Sequence, residues 1–190
     1  DKSIINNGLL EIPEEIDGTP VTEIGNAAFY SVIEIEEVSI PESVTNIHSN
    51  AFEGCTSLKS ITIPTGVTKI DNYTFQGCTS LESIDLSGTN VLSIGDFAFY
   101  KCQSLVSLSL PEGLVSIGNH TFAKCLSLSS FIAPATLETI DKYAFLGCEG
   151  LNNDGGGVIL SASIKKIGEF AFNGVKKEYF SAPDGSYAAS

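Results

Sequence analysis

Apolar residues along this chain recur in one register whose period is far longer than that of a helix or a strand. A phenylalanine marks each period, at Phe29, Phe52, Phe75, Phe99, Phe122, Phe145 and Phe172, with steps of 23, 23, 24, 23, 23 and 27 residues. Five residues before each Phe stands an isoleucine: Ile24, Ile47, Ile70, Ile94, Ile117, Ile140 and Ile167. Three residues earlier come Val21, Val44, Val67, Val91, Leu114, Leu137 and Ile164. Alanine precedes most of the phenylalanines, with Thr74 and Thr121 as exceptions. After the Phe come a single apolar position, as in Leu58 or Leu105, and then an alternating pair, as in Val38/Ile40 or Leu108/Leu110. Self-similarity at a fixed period of this length is the mark of a stacked-repeat architecture.

The chemistry of one period predicts one coil. The alternating pairs have the period of a half-buried strand, with apolar residues inward and the residue between them outward. Pro13, Pro41, Pro64, Pro111 and Pro134 follow these pairs, and a residue without an N–H ends a strand. The residue after each Ile is Gly, Asp or His, which predicts a turn tolerant of positive φ at that position. The next segment, as in Asp96-Phe97-Ala98-Phe99, predicts one or two turns of α- or 3₁₀-helix on the outer side. Gly54, Gly77, Gly147 and Gly174 then fit its end.

A single coil cannot bury its own apolar edge, so the coils must stack, with equivalent residues in ladders. Seven coils at a strand spacing of about 4.8 Å predict a rod roughly 34 Å long. The expected fold is an α/β repeat solenoid with short parallel strands on one face. The chain reads as one domain over 1–190: an irregular N-terminal coil or cap over 1–20, regular repeats over 21–175, and a C-terminal end over 176–190.

The pattern IPxxVTxIGxxAFxGCxSLxSIxIP stands almost intact. It runs, for instance, through Ile40-Pro41-Glu42-Ser43-Val44-Thr45-Asn46-Ile47 and Ala51-Phe52-Glu53-Gly54-Cys55-Thr56-Ser57-Leu58. In this it resembles the BspA-like class of leucine-rich repeats, and the resemblance covers nearly residues 5–175. It implies a curved, right-handed leucine-rich-repeat superhelix on secreted or cell-surface proteins of host-associated bacteria and some protozoan parasites. It also implies adhesion to host or microbial surface proteins, and it supplies no catalytic residues. Two departures are a four-residue insertion around Asp154-Gly155-Gly156-Gly157 and the absence of Cys from the first and last coils.

Composition narrows the function classes. The formal charge is −13, from 10 Lys+Arg against 23 Asp+Glu, and all the cations are Lys. A nucleic-acid ligand calls for a basic patch, so none is expected. An acidic surface also disfavours anionic membranes. Residues 1–53 hold 11 acids and one Lys, a solvated acidic end or a docking site for a basic partner. No apolar run approaches a membrane span, so no membrane insertion of this segment is expected. No signal peptide is visible, and the absence of Met is expected of a processed or excised chain, with simple Met removal as the alternative.

Candidate chemistry is sparse. Cys55, Cys78, Cys102, Cys125 and Cys148 each lie three residues after the repeat Phe. Their spacing is the repeat itself and not that of a zinc site. Stacked coils would allow disulfides. Val32 and Val175 at the same position favour small buried apolar groups, hence free thiols. His48 and His120 occupy different places in their coils, with no nucleophile set beside either, and read as surface or turn histidines. The stretch Asn152-Asn153-Asp154-Gly155-Gly156-Gly157 reads as a bulged loop, with calcium as the sharper alternative. No cofactor is expected, and no catalytic activity.

The outward strand positions are more informative. One column holds Glu11, Ser39, Thr62, Asp85, Ser109, Ile132 and Ile159; the other holds Leu9, Glu37, Ser60, Ser83, Ser107, Ser130 and Gly157. From these, Ser39, Ser60, Thr62, Ser83, Asp85, Ser107, Ser109, Ser130 and Ile132 form the candidate binding face for a protein ligand, a host or microbial surface protein. The alternative function is a structural spacer displaying another domain.

Overall fold

The computed structural model describes residues 5–153 and 156–181. Asp154 and Gly155, within the insertion read from the sequence, lie outside the described residues, as does the chain after Ser181. The architecture is a β-solenoid of about seven turns. Two walls of short parallel strands run along it. One wall carries Leu9–Glu11, Glu37–Ser39, Ser60–Ile61, Ser83–Asp85, Ser107–Ser109, Ser130–Ile132, Gly157–Ile159 and Phe180–Ser181. These are the strands the alternating pairs predict, and their register keeps equivalent residues opposite one another: Leu10 beside Val38 beside Ile61, and Ile84 beside Leu108. Where strand ladders are interrupted, single backbone bonds carry the stack on, from Glu82 N to the carbonyl of Lys59 at 3.2 Å and from Ser129 N to that of Val106 at 3.1 Å.

The second wall falls where the sequence pattern places only the approach to a turn. It is built of two-residue strands ending on the repeat isoleucine, Glu23–Ile24, Asn46–Ile47, Lys69–Ile70, Ser93–Ile94, Ser116–Ile117, Thr139–Ile140 and Lys166–Ile167. Each inward Ile from Ile24 to Ile140 is buried, while Ile167, on the last of these strands, is 46% exposed.

The outer segment differs from the predicted helix. Among the described residues there is no α-helix, and 3₁₀ structure is confined to Glu149–Asn152 and Lys177–Tyr179. Regular coils instead use consecutive turns, as in Ala51 N to His48 O (3.2 Å) and Glu53 N to Asn50 O (3.1 Å). Two left-handed residues in each coil break up any helix. One lies two before the Phe (Ala27, Asn50, Tyr73, Phe97, His120, Tyr143, Phe170) and one two after it (Ser31, Gly54, Gly77, Lys101, Lys124, Gly147, Gly174). The turn glycines therefore fit as expected, but the Gly that follows the repeat Ile does not have positive φ. Its smallness serves close stacking: a Cβ on Gly95 would lie 2.4 Å from Asn72 Oδ1 and 2.8 Å from Asn72 N in the coil beneath.

The core is a set of ladders. The repeat phenylalanines stack along the whole axis, with centroids 5.4, 5.6, 5.2, 5.3, 5.2 and 5.0 Å apart from Phe29 to Phe172. Phe52, Phe75, Phe99, Phe122 and Phe145 are fully buried. Their backbones form a further ladder, Phe99 N to Thr121 O at 2.9 Å and Phe122 N to Ala144 O at 2.8 Å. Thr121 and Thr74, the exceptions to Ala, are also fully buried. A buried hydroxyl needs a partner; Thr74 Oγ1 donates to Asp71 O at 2.9 Å, and Thr121 Oγ1 to Gly118 O at 2.8 Å.

Candidate functional site on the strand face

Because side chains alternate along a strand, the wall that buries Val38, Ile61, Ile84 and Phe131 turns their neighbours outward. Parallel register then lines those neighbours into two columns. Glu37 pairs with Ser60, Ser83 with Ser107, Asp85 with Ser109, and Ile132 with Ile159. Ser39, Ser60, Thr62, Ser83, Asp85, Ser107, Ser109 and Ile132 are exposed, and Ser130 is half-buried. The structure thus brings all nine candidate residues onto one wall. Gly157 corrects the second column: it is buried, because the following turn lies across it, and a Cβ there would sit 2.5 Å from Tyr179 O. The smooth part of the face therefore ends at Ser130.

At its centre lies a shallow depression of about 460 Å³ lined by Glu82, Ser83, Ser104, Val106, Ser107 and Ser127. Neither outward column holds a Lys. Asp85 Oδ1 accepts the Ser87 N–H at 2.9 Å, and bonds from Ser87 hold the Asp85 carboxyl below its ordinary range. At the acidic end, Glu36 pairs with Lys59 at 2.6 Å, so part of that charge is neutralised within the fold.

The thiols lie far from this face, in the core. All five cysteines are free and buried. Each Sγ donates to the carbonyl of the Phe one coil earlier: Cys78 to Phe52, Cys102 to Phe75 and Cys125 to Phe99, all at 3.2 Å. This bond gives Cys a role that Val lacks. Burial pushes the Cys55 thiol up to about 11 and the Cys148 thiol up to about 12. Such thiols are poor nucleophiles and poor metal ligands. Among the described residues, no group of three or more His, Cys, Asp and Glu is arranged to hold a metal ion. No described helix is long and apolar enough to cross a membrane.

His48 lies between two carboxylates from neighbouring coils, with Nε2 3.1 Å from Glu23 and Nδ1 3.9 Å from Asp71. Sequence reasoning missed the setting of His120. Its ring is sandwiched between Phe97 at 4.6 Å and Tyr143 at 4.7 Å. Tyr73 and Phe170 extend this second aromatic ladder at either end. The signal was present: all five residues stand two before the repeat Phe.

Stacked coils with an exposed strand wall along one side define a repeat-solenoid protein. Its repeats match the BspA type leucine rich repeat region in six copies over residues 22–152, and the chain belongs to that family. Solved structures agree. A leucine-rich repeat protein of Treponema pallidum is 29% identical with a TM-score of 0.72, covering 86% of each chain. A leucine-rich cell surface protein of Faecalibacterium prausnitzii is 28% identical with a TM-score of 0.78, covering 94% of this chain and 48% of its own. A leucine-rich repeat protein of Bacteroides ovatus is 30% identical with a TM-score of 0.64, covering 91% and 50% respectively. This chain thus spans about half the length of the last two. No curated protein matches it in sequence.

Proposed function

We propose that this chain is a non-enzymatic protein-binding module of a secreted or cell-surface protein, and that its ligand docks on the strand face around Ser83 and Ser107. The observation that carries this reading is the exposed serine pair lining a shallow depression midway along the strand wall. Short side chains there let a partner's backbone approach closely, and solenoids offer extended surfaces of this kind. The family membership and the cell-surface character of the Faecalibacterium protein support a location outside the cell.

The test is steric. Ser83→Arg and Ser107→Arg place a long charged side chain in the depression at exposed strand positions, where the stability change should stay within about 0.5 kcal/mol. Binding to immobilised host-matrix and microbial surface proteins is expected to be lost in both, while Asn173→Arg, exposed in the outer turn segment, leaves it intact. Binding that ignores both strand-face variants would refute the reading.

A further inference from the structure

We infer that the ligand of the strand face carries an apolar side chain and a cationic one about 10 Å apart, seated on Ile132 and at Asp85 respectively. The inference rests on the strand-face reading above and deepens it.

The repeats supply an internal control. The regular coils build the same local structure, so a departure at an exposed position within them is not demanded by the fold. In the outward column that holds Ile132, three of the regular coils to its N-terminal side use Ser39, Thr62 and Ser109, with Asp85 among them and Glu11 in the irregular first coil. The wall there is satisfied by a small hydroxyl residue. Ile132 nonetheless stands on it, 62% exposed, with Ile159 paired beside it and partly covered. An exposed aliphatic residue that the fold does not need is a candidate anchor for a partner. Val106, 48% exposed at the edge of the central depression, extends the apolar character of the same half.

Asp85 is the departure among the regular coils before Ile132 in that column. It stands two coils before Ile132, and two strand spacings separate them by about 10 Å. Its carboxylate is held in its charged form by bonds from Ser87, and no Lys shares either outward column. A cation placed there meets the Asp85 carboxylate with no Lys in either outward column. Glu37, further along the wall, adds to the same field. The face is therefore bipolar: acidic toward the N-terminal half, aliphatic toward the C-terminal half. A partner with the complementary arrangement docks in one direction only.

The experiment does not require the natural ligand. A random dodecapeptide library displayed on phage is panned on the 190-residue chain, and enriched peptides are synthesised for fluorescence anisotropy. Enriched sequences should pair a Lys or Arg with an aliphatic or aromatic residue at that separation. Their affinity should fall about ten-fold or more in Ile132→Ser, which copies the residue of sibling coils and so folds, on the scale of one lost anchor. Raising salt from about 0.1 to about 1 M shortens screening from about 10 Å to about 3 Å. It should weaken binding to the unaltered chain and have little effect on Asp85→Asn. Peptides that lose binding with Ser83→Arg but ignore Ile132→Ser and Asp85→Asn overturn the bipolar assignment and leave the face intact. Peptides indifferent to all of these variants overturn both. Failure of any sequence to enrich overturns the inference as well.

Discussion

Cys125 Sγ donates a hydrogen bond to the carbonyl oxygen of Phe99 at 3.2 Å, one coil away. The same relation recurs from Cys55 to Cys148, so a row of thiols follows the row of stacked rings. The bond also explains the first coil. Val32 occupies the equivalent position where no repeat Phe stands one coil earlier, so a thiol there would have no such carbonyl to meet. Nothing in the structure explains Val175 in the last coil.

The thiols predict alkaline sensitivity. Their folded pKa values are raised, chiefly by burial, to about 11 for Cys55 and about 12 for Cys148. A raised folded pKa means a contribution that is complete below the unfolded thiol value and lost as pH rises through the folded one. In that window the unfolded chain releases protons that the folded chain keeps, so each thiol removes about 1.4 kcal/mol of stability per pH unit. Denaturant midpoints should therefore fall steeply above about pH 9. Cys102→Val should make the slope shallower. Thiol counting should find five groups in denaturant and almost none in the folded chain at neutral pH. An unchanged midpoint across pH 9 would show that deprotonation is not linked to unfolding.

The stacked rings predict a graded cost of truncation. Phe99 lies between Phe75 at 5.2 Å and Phe122 at 5.3 Å and is fully buried. Phe99→Ala should cost about 3–5 kcal/mol. Phe29 stacks on one side only and is partly exposed, so Phe29→Ala should cost less. Nearest-neighbour coupling in a solenoid gives the same order. Chemical denaturation of both variants decides it.

Glu23 predicts an acid effect of the opposite sign. Its carboxylate accepts from His48 Nε2 at 3.1 Å and from Asn46 Nδ2 at 3.2 Å, and these bonds hold its pKa below the ordinary glutamate value. A depressed folded pKa means stabilisation that is present above the unfolded value and lost as pH falls through the folded one. In an NMR titration, His48→Ala should move the Glu23 pKa upward. A value unmoved by that substitution would show that the hydrogen bond is not its cause.

The solenoid and its inward residues were legible because a period of 23–24 residues repeats the same constraint many times. Phe99, Ile94 and Leu105 identify one another's role by register alone. The outward columns followed from the two-residue alternation of a strand, except at Gly157, whose cover comes from the irregular last turn. The outer segment reads as helix in the sequence because Asp96-Phe97-Ala98-Phe99 has helical residue types. Its shape is set instead by left-handed φ at Phe97 and Lys101, which no composition rule assigns to Phe or Lys. The ligand was not legible, since most of the outward strand residues, such as Ser60, Ser83 and Ser107, are ones a strand would expose in any case.

Left-handed Lys101 and Lys124 predict room for stabilisation. They adopt φ of 62° and 65° at the position where four coils use Gly54, Gly77, Gly147 and Gly174. A side chain in this region costs about 1–2 kcal/mol relative to glycine's freedom. Lys101→Gly should therefore raise stability, by an amount reduced by glycine's larger unfolded-state entropy and by the lost contact of Nζ over the Tyr100 ring at 5.1 Å. The net gain should be about 0.5 kcal/mol, while Gly77→Lys should be destabilising by a similar or larger amount. Reversal of these signs in denaturant melts would mean that local packing, not φ, governs the site.

His120 makes the sharpest prediction about the outer aromatic ladder. Its ring stacks between Phe97 and Tyr143, with Tyr100 set edge-on at 6.4 Å. Its Nδ1 is buried without a hydrogen-bond partner. An orphaned buried polar atom costs about 1–3 kcal/mol, whereas stacking contributes about 0.5–1.5 kcal/mol per pair. His120→Phe keeps both stacks, removes the orphan and matches Phe97 and Phe170 at the same position in sibling coils. It should stabilise the chain by about 1 kcal/mol. His120→Ala removes the orphan too, but breaks the ladder between Phe97 and Tyr143. It should be neutral or destabilising, because two stacks are lost for one relieved atom. The difference between the two variants in denaturant unfolding isolates the stacking. If His120→Phe destabilises the chain, Nδ1 has a partner that the folded chain in solution supplies, and the ladder owes its stability to that bond.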